Sequence, residues 1–129
     1  MQVISLTSKK LRILIADMDF GRRFEIEKTL NRLGQYSVMP VKSFEELVIY
    51  SFDFTPSFDV LIADLNFMIQ PSIDLLQFCQ KAPGIPCKLF YNYLPAGTII
   101  KQRLCTRPYS YLISSPTEKD LSDFIAHIN

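Results

Sequence analysis

The stretch FDVLIADLN, residues 58–66, decides the fold. At its centre, residues 60–63 form an apolar run with almost no polar alternation, which is typical of a strand buried on both faces of a parallel sheet. The run ends on a carboxylate, Asp64. In sheets of this kind, ligands bind just beyond the carboxyl ends of the strands. Asp64 is therefore the first candidate site residue.

A second strand, predicted at residues 11–16, also ends on a carboxylate. Asp17 follows it directly, and Asp19 comes two residues later. Two buried parallel strands deliver such residues to the same edge of a sheet, which predicts a small acidic pocket containing Asp17, Asp19 and Asp64. The first two aspartates also suit a turn and a helix N-cap, and this alternative stays open.

The rest of the chain alternates between strand-like and helix-like segments. This alternation predicts one α/β domain, residues 1–129: a doubly wound five-stranded parallel sheet with helices on both faces and right-handed crossovers. Residues 1–8 are polar and aperiodic, a loose N-terminal lead-in. The remaining predicted strands lie at 37–41, 87–91 and 109–113, and the predicted helices at 21–33, 43–51, 72–81, 95–105 and 117–128.

Composition excludes several classes of function. Apolar residues are 48% of the 129 and charged residues 21%, as in an ordinary globular domain. The net charge is +1 with basic residues scattered along the chain, which argues against direct nucleic-acid binding. The apolar runs are too short to span a bilayer. Three cysteines without paired spacing indicate reduced thiols in a cytoplasmic protein rather than a zinc site.

Four features carry a resemblance to a known family. They are ILIADMD at residues 13–19, Arg23 on the first predicted helix, DLNFM at residues 64–68, and the Ser115–Pro116 turn after the fifth predicted strand. Together, and in this order, they resemble the receiver domain of two-component response regulators over essentially the whole chain. The resemblance implies a flavodoxin-like sheet with strand order 2-1-3-4-5.

The resemblance also implies roles for particular residues. In receivers, the carboxylate after the third strand accepts a phosphoryl group from a histidine kinase, and Asp64 matches that position. Asp17 matches an acidic position that helps to hold Mg²⁺, and Asn66 matches the residue whose backbone carbonyl completes the protein ligands. Mg²⁺ prefers oxygen ligands and neutralises charge as phosphoryl transfer proceeds. Mg²⁺ is therefore the one cofactor that the resemblance suggests.

Three positions depart from the family pattern. Met18 replaces the second acid, Tyr91 replaces the Ser or Thr that binds the phosphoryl group, and Ser115 replaces the Lys that pairs with the acceptor. Phosphoryl transfer would then lack a metal ligand, a hydroxyl and a cation. Each such contact typically contributes a few kcal/mol to the transition state. The departures therefore predict phosphorylation that is weak or absent.

We expect a non-enzymatic, atypical receiver that acts through protein contacts. Its partner, or a second copy, would bind the face made by the predicted helix 95–105, strand 109–113 and helix 117–128, where exposed tyrosines suit an interface. One alternative is a conventional phospho-switch in which a histidine kinase phosphorylates Asp64 with Mg²⁺. Another is a small-ligand-binding module that uses the altered pocket, since fold alone does not fix function.

Overall fold

The computed structural model describes residues 10–52, 58–69, 85–92, 101–105 and 109–128. The predicted lead-in at 1–8 and the predicted helix at 72–81 lie outside these residues.

Six strands in the described residues form one sheet. Its order is β2-β1-β3-β4-β6-β5. The five parallel strands follow the order that the sequence predicts, and β3, buried along its whole length, is central. The strands are β1 (Arg12–Ala16), β2 (Ser37–Pro40), β3 (Val60–Asp64), β4 (Cys87–Tyr91), β5 (Lys101–Cys105) and β6 (Tyr109–Ile113).

The last edge strand corrects the prediction. Residues 101–105 were expected at the end of a helix, but they form β5, which pairs antiparallel with β6. The backbone donors and acceptors along the outer edge of β6 are satisfied by this pairing, which a helix could not provide. An antiparallel edge strand on an otherwise parallel sheet is common in doubly wound folds. The sheet is therefore mixed and six-stranded rather than all-parallel and five-stranded.

Four helices lie in the described residues. They are α1 (Phe20–Arg32), α2 (Phe44–Phe52), α3 (Leu65–Ile69) and α4 (Glu118–Ile128). The predictions for α1, α2 and α4 are confirmed to within one residue at each end. The five-residue α3 was not predicted. Within the described ranges, no helix has both the length and the hydropathy that crossing a bilayer requires.

Alternate residues of the strands feed two separate apolar clusters, as the two-residue period of a strand requires. Ile13 and Ile15 of β1 belong to one cluster, and Leu14 and Ala16 belong to the other. The first cluster also contains Ile26 and Leu30 of α1 and Leu121, Phe124 and Ile125 of α4, and the second contains Leu47 of α2 and Phe67 of α3.

The parallel register aligns the strand ends that carry the candidate residues. Ala16 is level with Ala63, and Asp64 is level with Tyr91. Asp17, Asp64 and Tyr91 therefore come to one edge of the sheet.

Candidate functional site

Two of the three predicted carboxylates are buried at this edge. Asp17 is 0% exposed and Asp64 is 5% exposed. Burying two carboxylates side by side is costly unless cations or hydrogen-bond donors compensate their charge. The structure provides both.

Arg22, in the first turn of α1, is the cation. Its guanidinium binds Asp17 with two hydrogen bonds, Nε to Oδ2 and Nη2 to Oδ1, each 3.0 Å long. The same Nη2 donates to Asp64 Oδ2 at 3.3 Å. Nη1 lies 3.6 Å from Asp19 Oδ2. One guanidinium thus contacts all three carboxylates of the acidic pocket.

Local structure holds Arg22 in place. The Asp19 carboxylate caps α1 by accepting a hydrogen bond of 3.0 Å from the Arg22 backbone amide. Hydrogen bonding to Asp17 raises the pKa of the Arg22 guanidinium above its usual value. The positive end of the helix dipole repels a cation in the first turn, and the contacts of Arg22 with Asp17 and Asp19 offset this repulsion.

Asp17 has both carboxylate oxygens fully engaged. Besides the two bonds from Arg22, Oδ1 accepts a hydrogen bond of 2.8 Å from the Asp19 amide. Oδ2 accepts one of 2.6 Å from the hydroxyl of Tyr91, which is itself 0% exposed. Each oxygen therefore accepts two bonds, which is close to the capacity of an ionised carboxylate.

Asp64 is not a solvated carboxylate at the end of a strand. Burial raises its pKa above the ordinary value for an aspartate, and the negative charge of Asp17 adds to this. The Asn66 amide, which donates to Asp64 Oδ1 at 3.2 Å, and the Arg22 guanidinium act in the opposite direction.

The three departures from the receiver pattern fall in different places. Met18 is 66% exposed, between the buried Asp17 and the helix cap Asp19. Tyr91 reaches into the pocket with its hydroxyl, so it contributes a polar bond as well as packing. Ser115 lies in the turn after β6, where its carbonyl accepts a hydrogen bond from the Thr117 amide.

The sequence also predicts a second role for Asp17 and Asp19, as turn and cap residues. This is confirmed for both: Asp17 closes the turn onto the Asp19 amide, and Asp19 is the N-cap. The same two side chains therefore form the turn and the cap and also contact Arg22 in the acidic pocket.

Arg22 is the site residue that sequence reasoning missed. The available signal was a cation placed five residues after Asp17 and three after Asp19, in a helical turn that disfavours positive charge. Its neighbour Arg23, which matches the receiver pattern, instead donates to the backbone carbonyl of Asp17 at 2.9 Å. That guanidinium also lies 5.5 Å from the centre of the Phe20 ring.

The arrangement does not fit Mg²⁺ while Arg22 is in place. A metal ion needs lone pairs on the carboxylates, but those of Asp17 already accept four hydrogen bonds, and Nη2 of Arg22 contacts both Asp17 and Asp64. Among the described residues, no group of three or more His, Cys, Asp or Glu side chains could hold a metal ion. The ligand set of Asp17, Asp64 and the Asn66 carbonyl stays a prediction that requires Arg22 to move.

A buried lysine lies away from this site. Lys88, near the start of β4, is 0% exposed, and its Nζ donates to the Ile85 carbonyl at 2.6 Å. Tyr91 and the acidic pocket are at the other end of β4. Lys88 therefore belongs to the structural interior and not to the candidate site.

Comparison with known proteins gives no match to this chain among family models, curated proteins or solved structures. A function must therefore be argued from the site itself.

Proposed function

We propose that this chain is an atypical receiver-like signalling module that acts through protein contacts, without phosphorylation of Asp64. The proposal includes a doubly wound domain with helices on both faces, located in the cytoplasm. It is supported by the order of the five parallel strands and by the position of Asp17 and Asp64 at their carboxyl edge.

The observation that carries the proposal is the guanidinium of Arg22 between Asp17 and Asp64. Phosphoryl transfer to a carboxylate needs a nucleophilic oxygen and a cation that also contacts the incoming phosphoryl group. Here the cation is bound to Asp17 by two bonds, and it pairs with the oxygen that would attack. The pocket therefore suits a fixed structural element better than a reaction centre.

The proposed contact surface contains β6 and α4. Since residues 101–105 form β5, an edge strand replaces part of the helix in the interface first expected. A cavity of about 100 Å³ lies here, with Tyr111 and Phe124 in its wall and Asp120 and Asp123 also lining it. An apolar wall beside carboxylates suits a protein partner that presents an apolar side chain next to a basic one.

Arg22 is also the observation that favours the alternative, a conventional phospho-switch. Its guanidinium lies within 3.3 Å of Asp64 and could supply the positive charge that Ser115 cannot. In that case a histidine kinase would be the partner, and Mg²⁺ would have to displace the bonds of Arg22 to Asp17. The small-ligand alternative has no observation of its own in its favour.

Intact mass after incubation with a small-molecule phosphodonor decides between the two. We expect no phosphoryl adduct on the wild-type chain, with or without Mg²⁺, because the acceptor oxygen and the cation are already paired. Asp64→Asn and Asp59→Asn are the matched variants, since Asp59 lies just before β3 and Asp64 ends it. An Mg²⁺-dependent adduct that disappears in Asp64→Asn and persists in Asp59→Asn would establish the phospho-switch instead.

A further inference from the structure

We propose that Arg22 is a built-in substitute for a divalent cation, and that removing its charge converts Asp17 and Asp64 into a site for Mg²⁺ or Mn²⁺. The inference deepens the proposed function and rests on it, because both concern the same pocket. In this pocket the positive charge that balances the two carboxylates comes from the Arg22 side chain and not from a bound ion.

The charge of the pocket makes a cation necessary. Asp17 and Asp64 are buried, and one nitrogen of Arg22 lies 3.0 Å from an oxygen of the first and 3.3 Å from an oxygen of the second. Two ionised carboxylates so close to a common point repel each other strongly in a poorly solvated site. Without Arg22, the pocket must take up either protons or another cation.

The structure explains why the arginine prevails over a free ion. Its backbone is fixed by the Asp19 cap, and its fork matches both oxygens of Asp17. A tethered cation is present at a high effective concentration, while Mg²⁺ must first lose part of its hydration shell. The pocket is thus neutralised whatever the concentration of divalent ions around it.

The geometry of the pocket also predicts which groups remain when the Arg22 side chain is removed. The Arg22 side chain is 36% exposed, so its loss opens a path from solvent to Asp17 and Asp64. The groups left facing that space include two carboxylates and the hydroxyl of Tyr91, all oxygen donors. Divalent Mg²⁺ is commonly held in proteins by one or two carboxylates with water completing its shell. Mn²⁺ accepts similar ligands and can be followed directly.

Titration with MgCl₂ and MnCl₂ tests the inference on the full chain, using calorimetry and the electron paramagnetic resonance of free Mn²⁺. The variants are Arg22→Met, which removes the charge, and Arg23→Met, which removes the same charge one residue later without emptying the pocket. We expect Mn²⁺ affinity to rise about tenfold or more in Arg22→Met alone. The gain should disappear when Asp64→Asn is added.

Two results would overturn the inference. One is a wild-type chain that binds Mn²⁺ as tightly as Arg22→Met does. The other is a folded Arg22→Met that binds no better than Arg23→Met. If Arg22→Met is unfolded without metal, Arg22→Gln is titrated in its place, since the amide can still donate to Asp17 without carrying charge. A folded Arg22→Gln with no gain in affinity would equally overturn the inference.

The outcome is distinguishable from that of the phosphodonor experiment. Wild-type chain that binds Mn²⁺ through Asp64 but forms no adduct would overturn this inference and leave the proposed function standing. A phosphoryl adduct on the wild-type chain without measurable metal binding would overturn the proposed function and leave this inference standing.

Discussion

The hydroxyl of Tyr91 joins the end of β4 to the acidic pocket. Tyr91 is fully buried, and its hydroxyl donates to Asp17 at 2.6 Å, a short distance typical of a hydrogen bond to an ionised acceptor. Hydrogen bonds to charged groups contribute more to stability than neutral ones do, and leaving the charged partner unsatisfied adds to the loss.

The change Tyr91→Phe should therefore lower the free energy of unfolding by about 2 kcal/mol, since it removes one donor from a buried carboxylate. Urea unfolding followed by circular dichroism measures this. The matched control is Tyr36→Phe, because Tyr36 is 70% exposed and should change stability little. Equal losses in the two variants would show that the hydroxyl of Tyr91 has no special role.

At this scale, the sequence predicted that Asp17, Asp19 and Asp64 lie together, but it did not predict that Arg22 joins them. Asp17 and Asp64 could be found because strand ends define their place. The contact of Arg22 with Asp64 could not be found in this way, because it joins residues 42 positions apart in the chain and depends on how far a flexible side chain reaches. The hydroxyl bond of Tyr91 was missed for the same reason.

Backbone hydrogen bonds define the C-terminus of helix α1. Leu33 is the C-cap, and Gly34 follows in a left-handed conformation with φ of +88°. The Gly34 amide donates to the Asn31 carbonyl, and the Gln35 amide donates to the Leu30 carbonyl. This is the Schellman pair of bonds, and it ends α1 within one residue of the predicted boundary at 33.

The change Gly34→Ala should destabilise the chain by about 1 kcal/mol, because a side chain disfavours the left-handed conformation. The cost is one of backbone only, since an added Cβ would meet nothing within 4 Å. Glu27→Ala, at an exposed position of the same helix, is the control and should change stability little. Urea unfolding that shows stabilisation by Gly34→Ala would contradict the role given to this residue.

Elements with local signals were predictable and elements without them were not. Caps and apolar spacing define α1, α2 and α4 within a few residues of chain. β5 depends on pairing with β6, so its own five residues carry no decisive signal. The five-residue α3 is too short for periodicity to appear.

For the whole molecule, the parallel order was predictable because buried apolar runs alternate with amphipathic helices. That order places Asp64 in a buried position at the edge of the sheet, so its ionisation contributes to the stability of the folded chain. Burial raises the pKa of Asp64, so the folded chain binds a proton at this group more tightly than the unfolded chain does.

This gives a pH dependence with a definite sign. Between the unfolded pKa of an aspartate, about 3.9, and the higher folded value, the folded state holds more protons, so the contribution of Asp64 to stability falls as pH rises. The Asp64→Asn side chain does not ionise, so the variant does not lose this contribution to stability as pH rises. Its stability relative to wild type should therefore increase as pH rises from about 3 to neutrality.

Thermal unfolding of both chains across this pH range, at constant ionic strength, measures the difference. A relative stability that is flat, or that declines toward neutral pH, would mean that the bond from Arg22 outweighs burial at Asp64.

The bridging position of Arg22 also has a consequence for motion. Its backbone belongs to the first turn of α1, while the carboxylates it binds belong to the segment after β1 and to the end of β3. The helix start therefore cannot lift from the sheet without breaking all of these bonds together. Local opening at this edge is a concerted event, in which the first turn of α1 and the tip of β3 are exposed to solvent as one unit.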